Sequence, residues 1–130
     1  MKRLHILVLL AQLALIYNTV LLLSVTLNLD WAKPRAAGGE FDSFPIALRI
    51  IYLGMAIGMI FLMKFLWHHR RYPLSHSGLR AARLLGYLFA LSTVTQLISR
   101  SPEERFNAIP AVIISLAFFS LLRRDKALEK

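Results

Sequence analysis

Residues 4–29 read LHILVLLAQLALIYNTVLLLSVTLNL, a run of 26 with no Asp, Glu, Lys or Arg. As a helix at 1.5 Å per residue it is about 39 Å long, enough to cross a hydrocarbon layer of about 30 Å with some tilt. Met1, Lys2 and Arg3 precede it in the manner of a signal peptide. The run is too long for an h-region, however, and no small-x-small cleavage site follows it closely. An uncleaved first membrane span is therefore expected at about 4–29.

Three further apolar blocks follow, with the charges gathered between them. The second, about 46–67, carries Arg49 and Lys64 near its ends, where both can snorkel to an interface; Trp67 and Tyr72 mark its exit. The third runs over about 78–99, with Arg80 and Arg83 in its first turns. The fourth covers about 102–122, and Pro110 inside it predicts a kink that frees the carbonyl of Phe106. Helix starts are suggested by Ser43, by Ser77, and by Ser101 with Glu104 as a capping box around Pro102 at N1. The connections are an outer loop at 30–45 (Pro34, Gly38-Gly39, and Trp31, Phe41 and Phe44 as interfacial aromatics), a basic loop at 68–77 and a short basic tail at 123–130.

This distribution explains the composition. Of 130 residues 57% are hydrophobic and 18% charged, a balance that does not fit one soluble domain with a polar surface. The expected fold is an all-α membrane protein, a single domain of four transmembrane helices in a compact bundle. Lys and Arg outnumber Asp and Glu by 16 to 7. With four spans, the side holding both termini and the 68–77 loop collects a net +9, and the other side sums to zero. The positive-inside rule then places both termini in the cytoplasm of a multi-pass membrane protein, in the cell's plasma membrane. The pI near 10.7 is read the same way, as basic loops facing anionic headgroups rather than as a nucleic-acid footprint.

Several function classes are disfavoured. The absence of cysteine removes disulfide scaffolds, thiolate metal sites and dithiol chemistry. No Asp or Glu lies in the apolar core of any span, whereas proton-coupled transporters rely on one. His5 sits near an interface and His68, His69 and His76 in a loop, which suits neither a haem held between helices nor a metal among repelling cations. No cofactor and no metal are expected.

Three groups of residues carry what function the sequence suggests. Gly54 and Gly58 form a GxxxG in the second span, and Ala82, Gly86 and Ala90 a small-residue groove in the third. Both are expected to let helices approach closely, within the chain or across an oligomer. His5, Gln12, Thr19 and Thr26 recur every seven residues and so drift only about 20° per step, while Ser92, Thr95, Gln96 and Ser99 share a face of the third span. Gln12, Thr19, Ser92 and Gln96 could hydrogen-bond between helices or line a polar pathway; Asn18 and Asn28 lie off the stripe. Arg100, Glu103, Glu104, Arg105 and Asn107 cluster at the outer end of the fourth span, as a helix cap with ion pairs or as a ligand site.

The expected function is a small non-enzymatic integral membrane protein, an accessory or assembly subunit of a larger membrane complex or a self-associating bundle. The alternatives are an oligomeric small-solute channel or transporter lined by the polar stripes, and a lipid-active enzyme using the outer cluster. No catalytic motif supports the last.

Overall fold

The computed structural model describes residues 1–129; Lys130, the end of the expected tail, lies outside the described residues. The chain is all-helical, with helices α1 (Lys2–Thr26), α2 (Ile46–His69), α3 (His76–Leu97), α4 (Pro102–Arg105) and α5 (Ala108–Leu128). Three segments are long and apolar enough to cross a membrane: Lys2–Thr26, Ile46–His69 and Pro102–Leu128. The third expected span, α3, is not among them. Its apolar run is interrupted by Arg80 and Arg83 at one end and by Ser92, Thr93, Thr95 and Gln96 at the other.

α1 and α5 pack on each other as the central pair, with α2 against α1 and α3 against α5. The main core joins Val8 and Leu15 of α1, Leu66 of α2, and Ile114, Phe118 and Leu121 of α5, all fully buried. α3 reaches α5 through its small-residue groove. Ala82 and Gly86 are buried, the Ser115 hydroxyl of α5 donates to the Gly86 carbonyl at 2.7 Å, and a Cβ on Gly86 would stand 2.9 Å from the Phe119 ring. Ala90, two turns on from Ala82, is half-buried.

The other groove behaves differently. Beyond the adjoining turns of α2 itself, nothing lies within 4 Å of where a Cβ on Gly54 or Gly58 would sit. α2 buries only 6% of its most apolar stretch, against 33% in α1 and 50% in Pro102–Leu128. Within the chain, then, the GxxxG packs nothing. The spacing records a capacity for close approach, and the turn it lies on faces away from α1.

At one end, here called the basic end, the start of α1, the loop after α2 and the end of α5 meet. The expected polar tail is instead helical to Leu128. It carries a buried Asp125 that accepts from the backbone N–H of Leu74 at 2.5 Å and pairs with Arg124 at 2.5 Å. Arg124 also donates to the carbonyls of His69 (2.6 Å), Arg70 (3.2 Å) and Tyr72 (3.0 Å). The first two are carbonyls that α2 leaves open where it stops, so α5 caps α2.

At the opposite end, the outer loop folds over the helices in two short 3-10 turns, Asp30–Arg35 and Ala37–Gly39. Phe44, expected at an interface, is 3% exposed and packs with Leu21, Val25, Ala32 and Ala36. Asn28 holds the crossing. It ends α1 at φ 56°, accepts from the Phe44 N–H at 2.8 Å and donates to the Ser43 hydroxyl at 3.1 Å. Ser43 is therefore spent on Asn28 and does not cap α2, whose N-cap position is Pro45. Asparagine tolerates this left-handed conformation where most residues do not, which stops α1 three residues short of Leu29. The Nε–H of Arg49 of α2 donates to the Thr26 carbonyl at 2.7 Å, which places its charge at the negative end of the α1 dipole.

Two more helix starts differ from expectation. Ser75, not Ser77, caps α3, accepting from the Gly78 N–H at 3.1 Å. The fourth apolar segment breaks at Phe106–Asn107 rather than kinking at Pro110. Pro110 falls in the first turn of α5, where an N–H has no helical partner to lose, and the Phe106 carbonyl accepts from Ile109 at 3.2 Å.

Candidate functional site

The break before α5 turns Asn107 inward. Its side-chain carbonyl accepts from the Tyr17 hydroxyl of α1 at 2.6 Å, and its amide donates to the Arg35 carbonyl of the outer loop at 2.8 Å. Asn107 thus ties together three segments far apart in sequence. Glu104, one turn earlier, also ties the loop down: its carboxylate accepts from the Gly38 N–H at 2.9 Å and from the nearby Ser99 hydroxyl. Gly38 and Gly39 sit at φ 70° and 71°, conformations open to glycine at little cost, and this aims the Gly38 N–H at the carboxylate. The Ser101 hydroxyl donates to the Pro34 carbonyl and to Glu103, so the expected capping box is not formed; both of its members are spent on the outer loop or its neighbours. Pro102 does occupy the start of α4.

Beneath this clamp lies a cavity of about 110 Å³. Asn18 of α1, Tyr52 of α2, Ser92 and Gln96 of α3, Arg35 of the loop, and Glu104 and Asn107 reach its wall, with Met55, Met59 and Phe89 as its apolar side. The side-chain oxygen of Gln96 is buried with no hydrogen-bond partner among the described residues. Such an atom costs about 1–3 kcal/mol unless something bonds to it. The volume suits a few waters or one small polar solute.

The sequence-predicted residues divide accordingly. Ser92 and Gln96 line the cavity; Gln12 and Thr19 do not. Gln12 donates across to the Met63 carbonyl of α2 at 3.0 Å, and the Thr19 hydroxyl to Leu15 of its own helix at 2.7 Å. The stripe of α1 is turned toward α2, so the four residues form no common pathway. Asn18, one residue before Thr19, is rotated by about 100° and faces the cavity instead. In the outer cluster, Glu104 and Asn107 point inward. Arg100, Glu103 and Arg105 are exposed, with Arg105 on the Ser99 carbonyl at 2.8 Å and Arg100 3.7 Å from Glu40. Exposed pairs of that kind contribute little. Asn18, Arg35 and Tyr52 had no marker in the sequence beyond a polar atom near an apolar run.

Elsewhere in the loop, the hydrogen bond and charge of Lys33, 2.5 Å away, hold the Asp30 carboxyl below the usual carboxylate range. What this exposed pair adds is present at neutral pH and fades as pH falls through the lowered value.

The clamp makes a prediction. Glu104→Ala removes the acceptor of Gly38 and Ser99, about 1–2 kcal/mol of local closure. Trypsin should then cut after Arg35 about tenfold faster in the folded protein. Unchanged cleavage would show that the loop does not depend on Glu104.

Comparison with protein-family models, with curated proteins and with solved structures finds no match for this chain.

Proposed function

We propose that the chain is a four-span integral membrane protein, both termini cytoplasmic, that works without catalysis by associating through α2 with a second transmembrane helix, its own copy's or a partner's. The observation that carries this reading is the open groove at Gly54 and Gly58 on the least buried of the apolar helices. In lipid, an exposed apolar face needs no partner, because acyl chains solvate leucine well. A pair of glycines one turn apart is different: it offers close backbone approach and gives lipid little to pack against.

α3 enters the proposal as the fourth span. It has 22 residues, about 33 Å of helix, and Leu84, Tyr87, Leu88, Leu91 and Val94 lie exposed along it. The hydroxyls of Thr93 and Thr95 donate to the carbonyls of Phe89 and Ser92, which lowers the cost of placing them in lipid. Arg80 and Arg83 lie at the basic end, within snorkelling reach of headgroups. The charge balance supports a cytoplasmic basic end and an outer face made by the clamp. The experiment is to compare association of the parent with that of a variant carrying leucine at both Gly54 and Gly58.

The cavity favours a second reading, a small-solute carrier or channel. The unpartnered oxygen of Gln96, a residue that lines this cavity together with Asn18 and Asn107, supports it. If a solute uses this space, Gln96→Leu should cut flux into liposomes by about tenfold, one buried hydrogen bond's worth. A parent protein with no flux for small polar solutes would remove this reading.

A further inference from the structure

A second cavity, about 600 Å³, opens at the basic end between the start of α1, the loop after α2 and the end of α5. Lys2, His5, Arg70, Arg71 and Arg124 reach it, and among the residues lining it there is no acid. Arg70 sets it apart from an ordinary basic surface. The residue is only 9% exposed, and its guanidinium carbon lies 3.5 Å from the centre of the Trp67 ring. Its Nε is buried without a hydrogen-bond partner, and it is in none of the salt bridges among the described residues.

The buried acid at this end is already engaged. Asp125 is spent on Leu74 and Arg124, and Arg124 in turn on three backbone carbonyls. Taking a guanidinium out of water without a counter-ion costs several kcal/mol, and an indole face returns about 2. A largely buried guanidinium with an unpartnered Nε–H and no anion, at the wall of a cavity that exposed Lys2 and Arg71 also line, is short of one negative ligand.

We propose that this cavity binds a phosphate group, presented by an anionic lipid headgroup or by a soluble phosphate. The planar guanidinium matches two phosphate oxygens at once. Two further cations at the mouth favour a group bearing more than one charge over a single carboxylate. Pro73, Ala127 and Leu128 give the cavity an apolar side on which the first carbons of a lipid would rest.

Trp67 provides the readout. The chain has two tryptophans, so Trp31→Phe leaves Trp67 as the sole emitter beside Arg70. The full chain in neutral nanodiscs or detergent is titrated with inorganic phosphate and, separately, with phosphatidic acid in phosphatidylcholine. A saturable change in Trp67 emission is expected. If only phosphatidic acid produces it, the source is lipid; if inorganic phosphate produces it and competes with the lipid, the site takes soluble phosphate. Arg70→Gln should weaken binding about tenfold or more, whereas Arg80→Gln, exposed on α3 and outside the cavity, should change it less than twofold. Arg70→Lys, which keeps the charge but loses the fork, should fall between. Were Arg70→Gln to misfold, Lys2→Gln with Arg71→Gln at the exposed mouth must weaken binding several-fold. No saturable response to either probe, equal losses from Arg80→Gln and Arg70→Gln, or full affinity in the mouth variant would each overturn the proposal.

Discussion

Replacing Asp125 with alanine should destabilise the protein by about 3 kcal/mol, the loss typical of breaking a buried ion pair by removing one partner. The carboxylate is 6% exposed and meets both the Leu74 N–H and the Arg124 guanidinium at 2.5 Å. Without it, a buried N–H loses its acceptor and Arg124 keeps its charge with no counter-ion. Arg124 is also the group that holds the carbonyls of His69, Arg70 and Tyr72, so the turn from α2 into α3 loosens with it. Asp125→Asn retains an acceptor for Leu74 but not the charge, and should cost about half as much. Lys126→Ala, exposed on the next residue, should cost almost nothing. Unfolding in mixed micelles measures all three. Equal midpoints for the Asp125 and Lys126 variants would show that α5 does not latch the basic end.

The second large effect is on association. Leucine at Gly54 and Gly58 fills a groove that no other helix of the chain approaches within 4 Å of a Cβ. Monomer stability should therefore hold or rise, since glycine is about 1 kcal/mol worse than other residues inside a helix. Association through α2 should weaken about tenfold or more, because four added carbons per position hold the partner backbone away. Gly86→Val supplies the opposite pattern. Its Cβ enters the Phe119 ring at 2.9 Å, so stability should fall by about 1–3 kcal/mol while the α2 face stays intact. Small residues at one spacing thus give two different outcomes.

That contrast marks what the sequence could show. Small residues a turn apart reveal that a backbone can be approached, but nothing in the pattern names the neighbour. Ala82 and Gly86 meet α5; Gly54 and Gly58 meet nothing in the chain. The stripe through Gln12, Thr19 and Thr26 likewise has the right rotational phase, yet it turns toward α2, and Asn18 reaches the cavity in its place. The apolar blocks were legible because length and composition alone decide them, and three of the four are long and apolar enough to cross a membrane. Their ends were less so. Ser43, Ser77 and Ser101 are sound cap residues by type, but Asn28 engages the first, Ser75 lies earlier than the second, and Pro34 takes the third. Each of those partners is distant in sequence or equally suited by type. Asp125 was hidden among Arg123, Arg124 and Lys126, where a lone acid reads as part of a solvated tail.

The most direct measurement of the account's central claim uses the absence of cysteine. A single cysteine at position 54 or 58 in the full chain, oxidised in native membranes, reports what lies against α2. The account predicts a defined crosslinked species at 54 and 58, either a dimer of this chain or an adduct with one membrane protein. It also predicts none from a cysteine at Leu84, 71% exposed on α3. Crosslinking no more efficient at 54 and 58 than at 84 would contradict it, and α2 would then face lipid alone.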